Sequence, residues 1–167
     1  MRIAYYDDGH SNHVPKLWYF RGVARESREL PERAYILKGA LEVAGYELKA
    51  PEDFGLAPIA RVHTKRYLDF LQVAYEQWTA LEETGPEVIG NMFPIGKDIR
   101  YPDIIQGRAG YHMEDMSCPI NEGTWQAAYG SAQTALSAAE AVLSDGRAVS
   151  YGLCRPPGHH AFAERAA

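Results

Sequence analysis

Hydrophobic residues along the chain fall into two patterns, short apolar runs and longer stretches with helical spacing. Residues 2–6 and 148–154 are short, largely apolar and rich in strand-forming side chains, so each predicts a buried strand. Residues 46–50 show a weaker form of the same pattern and predict a further strand.

Three longer stretches predict helices. The first begins at Pro31 and stops at Gly45, because proline suits a first helical turn and glycine suits a C-terminal stop. Residues 64–78 form the clearest amphipathic pattern, with Thr64 as the N-cap and an aromatic stripe that indicates core packing. Residues 124–143 are rich in alanine, and such small side chains allow close approach to a neighbouring sheet or helix.

Two long segments, residues 9–30 and 85–123, follow neither period and predict irregular loops, which are often functional in compact domains. Asp145 and Gly146 predict a turn before the last strand. Helices that alternate with short buried strands predict an α/β fold with a parallel sheet. No repeat or linker divides the chain, so we interpret residues 1–167 as a single domain.

Composition and charge exclude several classes of function. The 167 residues are 46% hydrophobic and 23% charged, as in ordinary soluble proteins. The net charge of −5 gives no electrostatic case for binding nucleic acid, and no apolar stretch approaches the ~20 residues of a membrane span. The two cysteines, Cys118 and Cys154, form neither a disulfide framework nor a zinc-finger pattern, so we expect a reducing, cytoplasmic compartment.

The strongest chemical signal follows the last predicted strand, in the sequence GLCRPPGHHA at residues 152–161. Ligands of open α/β sheets bind outside the carboxyl ends of the strands, and His159 and His160 come at such an end after two stiffening prolines. Two adjacent imidazoles suit proton transfer near neutral pH. A surface or core pair is the alternative, and a metal site would need three or four ligands that no spacing supplies.

The residues RPPGHHA resemble the active-site motif of the histone deacetylase family, which has the arginase–deacetylase fold. Three more segments are similar to that family: PERAYILKGALEVAGY, RVHTKRYLDFL and GTWQAAYGSAQTALSAAEAVL. The resemblance covers essentially the whole chain but only the N-terminal half of the family domain. It therefore implies half of a parallel-sheet domain with flanking helices and an incomplete sheet.

The segment at residues 85–123 resembles the acetylpolyamine amidohydrolase branch, through FPIG, RYPD and GYHMEDMSCPINEGTW. In that branch the insertion builds a dimer interface and narrows the entrance to the active site. The resemblance therefore implies a homodimer when the enzyme is intact. It also implies a slender substrate, an acetylated polyamine or a similar small acetylamine.

The resemblance also implies roles for individual residues. A zinc-bound water attacks the acetyl carbonyl, His160 serves as general base and then general acid, and His159 stabilises the transition state. Arg33 matches an arginine that lines a channel for the acetate product. Tyr19 lies where the branch places an aromatic residue near the substrate. His10, His13, His63 and His112 receive no catalytic role, and we expect surface or structural roles for them.

The acidic pair Glu114 and Asp115 in the insertion is a candidate site for the distal ammonium groups of a polyamine, with simple solvation as the alternative. The family's zinc-ligand run and its later tyrosine do not occur in these 167 residues, so no residue of this chain is assigned as a metal ligand. We therefore expect a truncated chain that has no zinc-dependent activity alone.

Two other interpretations stay open. The chain is a non-catalytic remnant that acts as a binding or dimerisation module through its insertion, or it comes from a histone-deacetylase-like enzyme that acts on protein acetyl-lysine. The long entrance loop argues against the second of these. An arginase-type manganese hydrolase shares the fold, but the motif RPPGHHA disfavours it.

Overall fold

The computed structural model describes residues 2–94, 99–144, 146 and 149–167. They form two compact units, each built from separate segments of the chain. The first unit consists of Met1–Val14, Glu29–Ile59 and Gly123–Pro157, and the second of Pro15–Arg28, Ala60–Glu122 and Gly158–Ala167.

Eleven elements follow one another along the described residues. In order they are β1 (Ile3–Tyr6), a 3-10 helix (Asp8–Asn12), β2 (Leu17–Phe20), β3 (Val23–Glu26), α1 (Glu32–Val43), β4 (Glu47–Lys49), α2 (Ala57–Ala60), α3 (Lys65–Thr79), α4 (Ile105–His112), α5 (Thr124–Leu143) and β5 (Ser150–Leu153).

A parallel sheet forms the centre of the first unit. β1 lies between β4 and β5 and runs parallel to both, with Ile3 paired to Glu47 on one side and Ser150 on the other. Ile3 and Ala4 are buried because the middle strand of such a sheet is covered on both faces. The predicted α/β fold with a parallel sheet is confirmed.

Helix α5 packs closely in the first unit because its small residues leave room. A Cβ atom added at Gly130 would lie 1.9 Å from Oδ2 of Asp7, and one added at Gly123 would lie 2.1 Å from the carbonyl oxygen of Asn12. Asp7 and the end of the 3-10 helix that follows β1 therefore lie directly against the N-terminal half of α5. The sequence predicted close approach from the alanines of this stretch, and these contacts are made at two glycines.

A substitution at Gly123 tests this packing. We expect Gly123→Ala to lower the free energy of unfolding by about 1–3 kcal/mol, because the new methyl group meets the Asn12 backbone. Gly39→Ala in α1 is the control, since a Cβ there meets nothing within 4 Å. It should raise stability by about 0.5–1 kcal/mol. Urea unfolding curves measure both, and equal effects would contradict the packing described.

The second unit contains a β-hairpin where the sequence predicted only a loop. β2 and β3 pair antiparallel, and Arg21 and Gly22 turn between them with φ values of 52° and 76°. The buried carboxylate of Glu87 holds the start of β2 by accepting the backbone N–H groups of Lys16 and Leu17 at 2.7 and 3.2 Å. The prediction was wrong because β3 is exposed at every position, so no buried face imposes alternation.

Helices α3 and α4 enclose the core of the second unit. Thr64 caps α3 as predicted, with its hydroxyl oxygen accepting the N–H of Tyr67 at 3.4 Å. Helix α4 was not predicted, because Gly107 and Gly110 weaken its helical signal. Gly110 is required there, since a Cβ would lie 1.8 Å from the carbonyl oxygen of Met92. The core consists of Tyr67, Phe70, Ala74, Val88, Ile105, Ala109, Met113 and Ile120.

The remaining predicted elements fall close to the observed ones. β1, β4 and β5 confirm the three strands, and α1, α3 and α5 confirm the three helices. Ile95–Asp98 in the predicted loop, Asp145 in the predicted turn and Ala148 in the last predicted strand lie outside the described residues. Among the residues that are described, no helix is both long and apolar enough to cross a bilayer.

Candidate functional site

The pair His159 and His160 occupies the middle of a β-turn in the second unit, which we call the His turn (residues 158–161). The N–H of Ala161 donates to the carbonyl oxygen of Gly158 at 3.0 Å and closes the turn. The two imidazole centroids lie 4.1 Å apart, with their planes inclined by 47°. Both side chains are exposed, so both rings are accessible from the solvent.

The post-turn segment (residues 162–166) is held first by the start of α3. His63 Nδ1 donates to the carbonyl oxygen of Phe162 at 3.1 Å, and the N–H of Thr64 donates to the carbonyl oxygen of Ala163 at 3.0 Å. Two consecutive residues that follow the His turn are thus tied to one helix end.

The end of α4 holds the rest of the post-turn segment. His112 Nδ1 donates to the carbonyl oxygen of Glu164 at 2.8 Å, and its Nε2 lies 2.9 Å from the hydroxyl of Tyr101. The N–H of Ala166 donates to the His112 carbonyl oxygen, and the N–H of Glu114 donates to the Ala166 carbonyl oxygen, both at 2.8 Å. The chain that carries the two histidines is therefore fixed on its C-terminal side.

Arg155, four residues before His159 in sequence, is buried in the first unit, and its guanidinium donates four hydrogen bonds. Nη1 donates to the carbonyl oxygen of His10 at 2.6 Å, and Nη2 donates at 2.7 Å to the carbonyl oxygens of both His13 and Glu29. Nε donates to the Glu29 carboxylate at 2.7 Å. One side chain thus joins the end of β5, the loop after β1 and the start of α1.

Burial keeps two histidines of the first unit neutral. Burial, and then the nearby Arg155 charge, lower the pKa of His13 to about 4, and its Nδ1 lies 2.9 Å from the hydroxyl of Thr124. The same two causes lower the pKa of His10, whose Nε2 lies 2.7 Å from the Tyr6 hydroxyl. Burial foremost raises the pKa of Tyr6 to about 12, so this pair stays uncharged.

The lowered pKa of His13 predicts a pH-dependent stability. Below its ordinary pKa of about 6.5 the unfolded chain takes up a proton that the folded chain refuses until about pH 4. The free energy of unfolding should therefore fall by up to about 3 kcal/mol as the pH drops through this window. In His13→Asn, which retains an amide near Thr124, that part of the pH–stability curve should flatten. His10 adds a residual slope of the same sign, and an unchanged curve would refute the prediction.

Arg33 and Tyr19, the predicted channel and substrate residues, belong to different units. Arg33 in α1 has a side chain that is 64% exposed and forms an ion pair with Glu29, one turn before it. Tyr19 lies half-buried in β2. The roles given to these two residues stay predictions.

Glu114 and Asp115 lie exposed just after α4, and both carboxylates have partners within the protein. Oε2 of Glu114 accepts from Nη1 of Arg165 at 2.7 Å. Oδ1 of Asp115 accepts from the N–H and the hydroxyl of Ser117 at 2.7 and 2.6 Å. Their attraction for a polyamine stays a prediction.

The donor side chains of the described residues decide whether they could hold a metal ion. Zinc sites bring together three or four His, Cys, Asp or Glu side chains. No group of three or more such side chains that could hold a metal ion occurs among the residues described. This part of the chain therefore does not fit a zinc site, although it carries groups suited to proton transfer.

The sequence did not identify the contacts that hold this region in place. It assigned surface or structural roles to His63 and His112, but nothing in their local patterns showed that they bind the post-turn segment. The residues around Arg155 likewise carried no local signal of its bonds to His10, His13 and Glu29.

Comparison with known proteins places these features in a family. Residues 27–167 match the model of the histone deacetylase domain. The chain is 44% identical to an acetylpolyamine amidohydrolase of Burkholderia pseudomallei, over 98% of this chain and 48% of that protein. It is 38% identical to acetylpolyamine amidohydrolase 1 of Pseudomonas aeruginosa, over 95% of this chain and 46% of that protein.

A solved crystal structure of a relative also matches this chain. The crystal structure of an acetylpolyamine aminohydrolase from Burkholderia pseudomallei matches with a TM-score of 0.94 and 42% identity, over 99% of this chain and 48% of that chain. The chain spans about half the length of the curated relatives it matches. Because the family model covers most of its residues, the chain belongs to the histone deacetylase domain family.

Proposed function

We propose that this chain supplies the proton-transfer half of a zinc-dependent amidohydrolase that removes acetyl groups from acetylated polyamines or similar small acetylamines. The observation that carries the proposal is the His turn, with two exposed imidazoles 4.1 Å apart in a member of the histone deacetylase domain family. Relatives at 44% and 38% identity that are acetylpolyamine amidohydrolases support the substrate class.

The chemistry of amide hydrolysis suits two neighbouring imidazoles. Water must lose a proton as it attacks the carbonyl carbon, and the departing amine must gain one. In the proposal His160 takes the first proton and returns it to the amine nitrogen, while His159 stabilises the negative charge that develops on the carbonyl oxygen. The fixed post-turn segment keeps the turn that carries both rings in place.

The remaining predicted residues bind substrate or product in this proposal. Glu114 and Asp115 attract the distal ammonium groups of the polyamine, and Tyr19 contacts its chain. Arg33 guides the acetate product, since a guanidinium matches a carboxylate in geometry. Residues 85–123 narrow the entrance and form a homodimer interface in the intact cytoplasmic enzyme.

In the proposal the zinc-binding residues lie in another part of the intact enzyme, since the described residues contain no group of three or more suitable donors. We therefore propose that the chain is an N-terminal half that is inactive alone. Its relatives are about twice as long, which supports this proposal.

A chimera tests the function. Residues 1–167 are joined to the C-terminal half of the Burkholderia pseudomallei relative, and the intact relative serves as the positive control. We expect the zinc-loaded chimera to hydrolyse acetylputrescine faster than an acetylated lysine peptide, while the chain by itself hydrolyses neither. Turnover by the separate chain would refute the need for a second half, and preference for the peptide would refute the substrate class.

A further inference from the structure

We propose that His112 is a positioning residue for the His turn, which it fixes by holding the carbonyl oxygen of Glu164 in the post-turn segment. The geometric part of this inference stands on the contacts of the second unit alone. Its catalytic consequence rests on the function proposed above.

The position of His112 makes it a firm anchor. It is the last residue of α4, it is fully buried, and its ring stacks on Phe70 with centroids 4.8 Å apart. Tyr67 and Tyr111 contact it from other sides, with centroids at 5.5 and 5.0 Å. A ring enclosed in this way has little freedom to move when the segment bound to it is pulled.

The hydrogen bonds of His112 determine its orientation. A carbonyl oxygen only accepts, so Nδ1 carries the proton that is shared with Glu164. The second ring nitrogen, Nε2, has the Tyr101 hydroxyl as its hydrogen-bond partner, 2.9 Å away. Turning the ring over would break both bonds, so Tyr101 fixes the ring that in turn fixes Glu164.

The link from this anchor to the His turn is short. Glu164 lies four residues after His160, and the N–H of Phe162 donates to the carbonyl oxygen of Arg165 at 2.9 Å, which folds the segment on itself. The bond from His112 reaches the middle of that fold, whereas the Thr64 and Ala166 bonds are made by backbone groups. The His112 imidazole is thus a side-chain contact that a substitution can remove without altering the backbone.

A matched pair of variants isolates the effect of the N–H donor at Nδ1 of His112. His112→Asn and His112→Leu replace the ring by side chains of nearly equal size, but only asparagine offers an N–H near the Nδ1 position. His112→Phe keeps an aromatic ring at this position and removes both hydrogen bonds of the imidazole. If the donor positions the segment, leucine and phenylalanine should release it and asparagine should retain it.

Amide hydrogen exchange on the chain itself measures the release. The N–H groups of Ala166, Glu114 and Thr64 report the docking of the post-turn segment. In the leucine and phenylalanine variants they should exchange about tenfold faster than in the asparagine variant, as expected when one hydrogen bond is lost from a local opening equilibrium. The N–H of Val88, bonded to Ile120 in the core, should be unchanged.

Two exchange results would overturn the proposal. Equal rates in the asparagine and leucine variants would show that the donor does not hold the segment. Equal acceleration at Val88 would show that the substitution loosens the whole unit, which is an ordinary structural effect.

The catalytic consequence is measured in the chimera. A displaced His turn should lower kcat by about 10- to 100-fold in His112→Leu while KM stays unchanged, and His112→Asn should recover most of the loss. A change confined to KM, or no recovery by asparagine, would refute the catalytic role. An unsubstituted chimera that lacks activity would refute the proposed function instead, and exchange would still decide the positioning.

Discussion

Replacing Arg155 by leucine should lower the free energy of unfolding by about 3–5 kcal/mol, the largest stability effect we expect from a single substitution in this chain. The side chain of Arg155 is only 5% exposed and donates four hydrogen bonds. Its removal leaves the buried carbonyl oxygen of His13 without this donor, while that of His10 keeps only the N–H of His13 at 3.2 Å among the hydrogen bonds of the described residues. Burying acceptors that have lost their partner is what makes such substitutions costly.

Arg33 provides a matched control, because it pairs with the same carboxylate as Arg155, that of Glu29. Its side chain is 64% exposed, and exposed ion pairs contribute only about 0–1 kcal/mol. Arg33→Leu should therefore change stability little. Arg155→Lys should remain strongly destabilising, because one ammonium cannot reproduce the fork of the guanidinium.

Urea unfolding of the three variants measures these differences, with the slope of each curve checked for a constant change in exposed surface. If Arg155→Leu and Arg33→Leu lowered the free energy of unfolding equally, the buried hydrogen bonds of Arg155 would add nothing to stability beyond its charge. Full stability in Arg155→Lys would mean that charge alone suffices.

Replacing His160 by alanine in the chimera should lower kcat by about 10²- to 10⁴-fold, the usual contribution of a general acid–base group. KM should change little, because His160 acts on the reacting bond and not on the polyamine chain. Steady-state kinetics with acetylputrescine provide both constants. The expected loss applies to the function proposed for this chain.

The control is His13→Asn, which alters a histidine buried in the first unit beside Thr124. At alkaline pH, where His13 is neutral in both the folded and the unfolded chain, this variant should keep nearly full activity. Activity of His160→Ala within threefold of the unsubstituted chimera would assign the proton transfer to another group.

Local sequence patterns were sufficient to predict the elements that have one buried face. The spacing of Tyr67, Leu71 and Ala74 predicted α3, and Thr64 predicted where it begins, because capping and amphipathic packing both act within a few residues. The motif of residues 152–161 likewise predicted two imidazoles side by side after the last strand, and the structure has their centroids 4.1 Å apart.

Contacts between distant parts of the chain could not be predicted from such local patterns. The bond from His112 to Glu164 joins residues 52 apart, and the bond from Arg155 to Glu29 joins residues 126 apart. Gly110 weakened the signal for α4 although the structure needs glycine at that position. Each depends on which segments fold together, and a single sequence carries no local mark of that choice.

The placement of β1 between two partners from later in the chain has a consequence for synthesis. Ile3 pairs with Glu47 and also with Ser150, so β1 leaves the ribosome long before its second neighbour exists. At about 5–20 residues per second, roughly 150 further residues take about 7–30 s to appear. For that time one edge of an apolar strand lacks its partner, which leaves the nascent chain open to pairing with the wrong strand.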